Sequence, residues 1–138
     1  MAVTVVGYDG SDCAEAALET AIDLSRDLGD ELLITFGYEP GGRTGEEHAA
    51  HREAVKQFGE RMTQRGLKRA EDAGVKANVA LVPERAVDAL VTMGAEHDAR
   101  AIVVGTYGEN PVKGAILGST PYKLMQVAER PVLVVPVE

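Results

Sequence analysis

The sequence has little of what builds cross-links, membrane spans or large aromatic clusters. It contains one cysteine, Cys13, and no tryptophan, and aromatic residues make up only 4% of its 138 residues. A lone cysteine excludes an internal disulfide framework, and no apolar run approaches the ~20 residues that a membrane-spanning helix needs. The first nine residues also lack the basic segment of a secretion signal. Together these absences predict a cytoplasmic protein.

Positive charge is also scarce. There are 14 Lys and Arg residues against 22 Asp and Glu residues, a formal net charge of -8. Such a surface repels nucleic acids and anionic membranes, so neither is an expected partner. A small anionic ligand is still compatible with this charge, because backbone N–H groups at a helix start or in a glycine-rich turn bind phosphate locally.

Short apolar segments alternate with segments of helical periodicity along the whole chain. With 45% hydrophobic residues and this length, the chain predicts one globular domain spanning residues 1–138. The pattern predicts strands at residues 2–8, 32–38, 75–82, 101–104 and 132–135, and a long helix at residues 46–73. Thr120 and Pro121 are predicted to be the N-cap and first residue of the last helix. This alternation is typical of an α/β fold with a parallel sheet and helices on both faces.

In an open parallel sheet, ligands bind beyond the carboxyl ends of the strands, where the strand order reverses. The glycine-rich loop after the fourth strand lies in such a position, and its backbone is free to approach phosphate oxygens. The start of the last helix adds unpaired N–H groups and the positive end of the helix dipole. Six residues of this segment are candidate phosphate-binding residues: Gly105, Gly108, Lys113, Gly118, Ser119 and Thr120.

Asp9 follows the first strand and has two possible roles. A carboxylate there suits a ribose hydroxyl or a divalent ion, Mg²⁺, held by a bound phosphate. It is equally suited to cap the first helix, a role that Ser11 and Asp12 fill as well. The P-loop pattern and the Gly-x-Gly-x-x-Gly pattern after the first strand are both absent, which disfavours a P-loop NTPase and a dinucleotide dehydrogenase.

The arrangement of these motifs resembles the universal stress protein family of the UspA type. The resemblance rests on Gly105-x2-Gly108-x9-Gly118-Ser119 after the fourth strand and on Asp9-Gly10-Ser11 after the first. It extends over the chain through the segments VVGYDGSDCAEAAL, AVDALVTMGAEHDARAIVVGTYG and GAILGSTPYKLMQVAERPVLVVPV. Tyr107 departs from the family pattern, since it stands where the family generally has Arg or His.

The resemblance implies a Rossmann-like, five-stranded parallel sheet in the order 3-2-1-4-5 and membership of the ATP-binding subgroup. Asp9 would contact the nucleotide, Gly105 and Gly108 would face ribose and phosphate, and Gly118 with Ser119 would hold the phosphates. Two further residues at strand ends, Gly37 and Val82, complete the predicted nucleotide-binding set. Gly37 replaces an apolar side chain that would normally pack on adenine.

The function predicted is that of a stress-response sensor or regulator that binds an adenine nucleotide, ATP in the first place. No side chain is positioned by the sequence as a base for water, so the protein is at most a slow ATPase. The resemblance also implies a homodimer, formed through the edge strand between Pro131 and Pro136. The alternative is a nucleotide-free dimeric interaction module of the same fold, which Tyr107 and Gly37 favour. A phosphotransfer receiver domain is disfavoured, because Val82-Pro83-Glu84 lacks an aspartate after the third strand.

Overall fold

The computed structural model describes residues 1–39, 45–106 and 117–137 of the chain. Five strands and four helices alternate along it, as the hydrophobic pattern predicts. In chain order they are β1 (Val3–Gly7), α1 (Asp12–Leu28), β2 (Glu31–Gly37), α2 (Glu46–Asp72), β3 (Ala77–Val82), α3 (Ala86–Glu96), β4 (Ala101–Gly105), α4 (Ser119–Val127) and β5 (Val132–Val135).

The strands form one parallel sheet in the order β3-β2-β1-β4-β5. This confirms the α/β fold class, the parallel sheet and the strand order implied by the family resemblance. Since all connections are crossovers, the carboxyl ends of β1, β2 and β4 meet at one edge of the sheet. The order reverses at β1, whose neighbours are β2 on one side and β4 on the other.

The sheet is buried on both faces, which explains why its strands are almost continuously apolar. Successive residues point to opposite faces: Val6 belongs to the core under α1 and α2 with Leu18, whereas Val5 belongs to the core under α3 and α4 with Leu90 and Leu124. No helix within the described ranges is long and apolar enough to cross a bilayer.

The start of α4 differs from the prediction. Thr120 is not the N-cap: α4 begins at Ser119 and its N-cap is Gly118, so that Pro121 is the third helical residue. Proline is tolerated throughout the first turn, because the N–H that it lacks has no intrahelical partner there. The Thr-Pro pair therefore fixes the helix start only to within a turn.

Candidate functional site

A cavity of about 270 Å³ lies at the carboxyl edge of the sheet, where β1 separates from its two neighbours. This volume lies near the lower end of the range of small-molecule sites. The cavity reaches from the turn after β1 to the first turns of α3 and α4. The described residues that line it are Gly7, Tyr8, Asp9, Ala14, Thr35, Phe36, Gly37, Ala86, Leu90, Val104, Gly105, Thr120 and Pro121.

The floor of the cavity is formed around Gly7, the last residue of β1. Gly7 pairs with Thr35 of β2, and a Cβ atom placed on it would lie 3.2 Å from Leu90 Cδ1 and 3.4 Å from Val104 Cγ1. A side chain at this position would be crowded by Leu90 and Val104. The close approach of these two residues to the end of β1 thus depends on a glycine.

Gly37 brings the first turn of α3 against the end of β2. A Cβ atom on Gly37 would lie 2.7 Å from the Glu84 carbonyl oxygen and 3.1 Å from the Ala86 Cα atom. An apolar side chain here is therefore excluded by backbone atoms. Ala86, at the start of α3, lines the cavity beside Gly37 and supplies apolar surface at this wall.

The turn after β1 shows that Asp9 does not cap α1. Ser11 is the N-cap of α1, and its hydroxyl accepts a hydrogen bond from the Ala14 N–H at 3.2 Å. The Asp9 Oδ1 atom instead accepts from the Ser11 N–H at 2.9 Å, and Asp9 lines the cavity. Gly10 between them has a φ of +82°, which favours glycine. Asp9 is thus held at the cavity by the turn, and the helix is capped by Ser11.

Gly105 has a packing role that the sequence interpretation did not include. A Cβ atom on Gly105 would lie 2.6 Å from the Cys13 carbonyl oxygen and 2.7 Å from the Cys13 Cβ atom. The absence of a side chain lets the first turn of α1 approach the end of β4. Gly105 also lines the cavity, so its place there is set by the contact between α1 and the sheet.

The amino terminus of α4 faces the same edge of the sheet. Its N-cap, Gly118, donates its N–H to the Thr106 carbonyl at 2.6 Å, and no side chain within the described ranges caps the helix. The N–H groups of a first helical turn lack intrahelical partners and carry the positive end of the helix dipole. With Thr120 and Pro121 in the cavity lining, this helix start offers an anion a favourable position.

The predicted site residues are only partly brought together. Asp9, Gly37, Gly105 and Thr120 line the cavity, and Gly118 and Ser119 lie beside it at the start of α4. Val82 is buried but is not among the lining residues; its carbonyl oxygen accepts from the Tyr38 N–H and the Glu84 N–H. Gly108 and Lys113 lie outside the described residues.

The electrostatics of the described lining are weakly anionic. Asp9 is its one charged side chain, and the lining residues that the structure describes include no Lys or Arg. Tyr8 donates its hydroxyl to Glu15, which pairs with Arg69. Burial and the hydrogen bond to Glu15 raise the pKa of the Tyr8 phenol above its usual range, so this side chain stays neutral. Across residues 1–39, 45–106 and 117–137 no cluster of three or more His, Cys, Asp or Glu residues is arranged to hold a metal ion.

The floor of the cavity is not among the predicted site residues. Its members include Gly7, Thr35, Leu90 and Val104, which belong to the predicted strands and to a predicted helix. The one signal in the sequence is Gly7, the single glycine in the first predicted strand. Finding its neighbours in the sheet requires the strand register, in which Gly7 pairs with Thr35.

A doubly wound parallel sheet with a cavity at its switch point places the chain in the class of open α/β folds, in which ligands generally bind at this position of the sheet. The chain belongs to the universal stress protein family, whose family model matches residues 2–136. A universal stress protein of Thermus aquaticus is 33% identical in an alignment 141 positions long, which covers 95% of this chain and 96% of that protein.

Two solved structures extend the comparison. The first is a universal stress protein in complex with cAMP, which is 29% identical, has a TM-score of 0.72 and is matched over 98% of this chain and 96% of its own. The second, a universal stress protein from Archaeoglobus fulgidus in complex with dAMP, is 23% identical with a TM-score of 0.69, matched over 98% and 97% of the two chains. This second structure shares the fold.

Proposed function

We propose that this protein is a cytoplasmic stress-response sensor or regulator that binds an adenine nucleotide, ATP in the first place, in the cavity at the carboxyl edge of the sheet. The observation that carries the proposal is the division of that cavity into an apolar floor and a polar rim. Leu90 and Val104 line the floor, whereas Asp9 and the start of α4 lie at the rim. The cAMP bound by a 29% identical relative supports the choice of an adenine ligand.

The division of the cavity suggests how a nucleotide would be oriented. A planar aromatic base, whose faces are apolar, suits the floor, and a ribose suits the Asp9 carboxylate. Phosphates suit the amino terminus of α4, where Ser119 and Thr120 offer N–H groups and hydroxyls. Gly118, the N-cap, is proposed to let a phosphate approach this helix start closely. Gly108 and Lys113 are proposed to add to the phosphate site, and Gly37 and Val82 to the base site.

Magnesium is compatible with this site only together with a nucleotide. Mg²⁺ usually binds one or two carboxylates along with substrate phosphates and water. In the described lining Asp9 is the single carboxylate, and one of its oxygens already accepts from the Ser11 N–H. Asp9 would therefore hold the ion jointly with the phosphates, and the ion would neutralise their charge.

Replacing Asp9 tests both the ligand and the role of this carboxylate. In Asp9→Asn the side-chain oxygen that accepts from Ser11 is kept while the charge is lost, so the turn is expected to stay folded. We expect the affinity for ATP to fall about tenfold, the value of one charge-assisted hydrogen bond. Isothermal titration calorimetry with ATP, ADP, AMP and cAMP measures this, each with and without Mg²⁺. A loss of affinity seen only with Mg²⁺ indicates that Asp9 binds the ion. A loss of affinity both with and without Mg²⁺ indicates that Asp9 binds the ribose.

Asp12→Asn is the matched control for this experiment. Asp12 is an exposed residue in the first turn of α1, three positions away, and does not line the cavity. Its affinity for ATP should equal that of the wild type. If Asp9→Asn also binds every nucleotide as the wild type does, the proposed site is wrong.

If the wild type binds none of these nucleotides at millimolar concentration, the nucleotide-free dimeric module becomes the better description of the protein. The absence of Lys and Arg from the described lining favours that second candidate.

We also propose that two copies pair through the edge strand between Pro131 and Pro136. β5 lies at the edge of the sheet, so the backbone groups on its outer side lack a strand partner within the described chain. Leu133 on this strand is exposed. A symmetric partner strand would satisfy the backbone groups and cover this side chain.

A further inference from the structure

The hydroxyl groups of Thr35 and Ser25 are both buried without a hydrogen-bond partner among the described residues, and of these two residues only Thr35 lines the cavity. Thr35 is 2% exposed, and its hydroxyl has no hydrogen-bond partner in the part of the chain that the structure describes. Two other buried threonines behave differently. The Thr4 hydroxyl donates to Asp30 at 3.0 Å, and the Thr63 hydroxyl donates to the Gly59 carbonyl at 2.7 Å.

A buried hydroxyl without a partner destabilises the folded state, because it has lost its hydrogen bonds to water and gained none. Nearly all such groups in folded proteins are paired, so each exception calls for a reason. Thr35 lies at a position where valine would fit with the same branched shape. Its hydroxyl is therefore a cost to the empty protein.

The location of Thr35 supplies the reason. Thr35 lines the cavity and pairs in the sheet with Gly7, which also lines it. The neighbouring lining residues on this floor, Leu90 and Val104, offer no hydrogen bonds from their side chains. A planar base entering the cavity would meet apolar side chains and Thr35, whose hydroxyl can both donate and accept.

We propose that Thr35 is a specificity-determining residue whose hydroxyl hydrogen-bonds a polar atom on the edge of the bound base. This inference rests on the proposed function and deepens it, since it names the group that recognises the base. The same hydroxyl that destabilises the empty protein gains its partner when the ligand binds. The substitution Thr35→Val is therefore expected to have opposite effects on stability and on binding.

The experiment combines thermal unfolding of the nucleotide-stripped protein with calorimetric titration of AMP, whose single phosphate limits the contribution of the rim. Thr35→Val should raise the melting temperature of the empty protein and weaken AMP binding roughly three- to tenfold, as expected for the loss of one hydrogen bond. Thr35→Ser keeps the hydroxyl and should bind AMP within about twofold of the wild type. A valine variant that melts below the wild type, or that binds AMP equally well, would overturn the proposal. A serine variant as weak as the valine variant would overturn it too, by assigning the loss to shape.

Ser25→Ala is the control for the stability effect alone. Ser25 is 1% exposed in α1, its hydroxyl also lacks a partner in the described chain, and it does not line the cavity. Its removal should leave AMP affinity unchanged; a loss like that of Thr35→Val would show that such affinity changes arise away from the cavity and overturn the proposal. If the wild type binds none of AMP, ADP and ATP, the proposed function itself fails and Thr35 has no base to recognise. A different outcome, in which the wild type binds AMP and Thr35→Val binds it equally well, refutes only the role of Thr35.

Discussion

At the scale of single residues, a buried carboxylate forms an ion pair at the end of the sheet opposite the cavity. Asp30, just before β2, is buried and accepts from Arg100 Nε at 2.7 Å and from Arg100 Nη2 at 3.0 Å. Thr4 of β1 donates to the same carboxylate at 3.0 Å. The hydrogen bonds from Arg100 hold the pKa of Asp30 below its ordinary value of 3.8. This contact joins the amino ends of β1, β2 and β4.

The lowered pKa of Asp30 predicts a pH-dependent stability. Because the unfolded chain binds the proton more readily, the stabilisation is complete above the ordinary pKa and disappears as the pH falls through the folded value. Asp30→Asn should lower the free energy of unfolding by about 1–3 kcal/mol at pH 7, and the difference from the wild type should shrink below about pH 4. Urea unfolding between pH 7 and pH 2.5 measures this. The exposed Asp27→Asn serves as control and should follow the wild type throughout; a difference that is constant with pH would contradict the ion pair.

At the scale of elements, α2 contains two glycines with opposite expectations. A Cβ atom on Gly66 would make ordinary contacts of 3.4 Å with Leu18 and Tyr8, whereas one on Gly59 would overlap the ring of Phe36. Gly66→Ala should therefore raise the free energy of unfolding by about 0.5–1 kcal/mol through helix propensity. Gly59→Ala should lower it by about 1–3 kcal/mol through overpacking. Chemical denaturation of the two variants compares them directly, and equal effects would refute this account of the packing.

The same element shows what the sequence predicts and what it does not. Residues 46–73 were predicted as one helix from residue type and periodicity, and α2 is continuous over Glu46–Asp72. The different constraints at Gly59 and Gly66 are not visible in the sequence, because they depend on Phe36 and Leu18, which lie on other elements. Periodicity is a local property of the chain. The space around a glycine is set by tertiary packing.

The candidate site follows the same division. Asp9, Gly105 and Thr120 were predicted because turn and helix-start chemistry is readable from neighbouring residues, and all three line the cavity. Thr35 is not predictable in this way, because Thr4 and Thr35 are both buried threonines in strands. Their hydroxyl groups differ in hydrogen bonding: that of Thr4 has a partner and that of Thr35 has none among the described residues. The Thr4 hydroxyl donates a hydrogen bond to Asp30, a residue 26 positions away in the sequence. Only the three-dimensional arrangement separates a paired hydroxyl from an unpaired one.

At the scale of the whole molecule, the two edges of the sheet are β3 and β5. The prolines at 131 and 136 bracket β5 and limit pairing to a short segment, which opposes open-ended aggregation and suits one symmetric partner. Exposed apolar side chains accompany it: Leu133 on β5 is 39% exposed, and Tyr122 and Met125 on α4 are 57% and 52% exposed. A second copy would cover apolar surface here, against the repulsion between two chains of net charge -8.

The proposed dimer therefore has a defined response to mutation and to salt. Leu133→Glu introduces a charge at the centre of the proposed contact and should weaken association at least about tenfold. Sedimentation equilibrium of the wild type should show a dimer that tightens as salt screens the like charges. Leu28→Glu is the matched control, because Leu28 is also exposed but ends α1. A wild type that stays monomeric at all concentrations, or a Leu133→Glu variant that dimerises as well as Leu28→Glu, would place the exposed face of β5 outside any contact between copies.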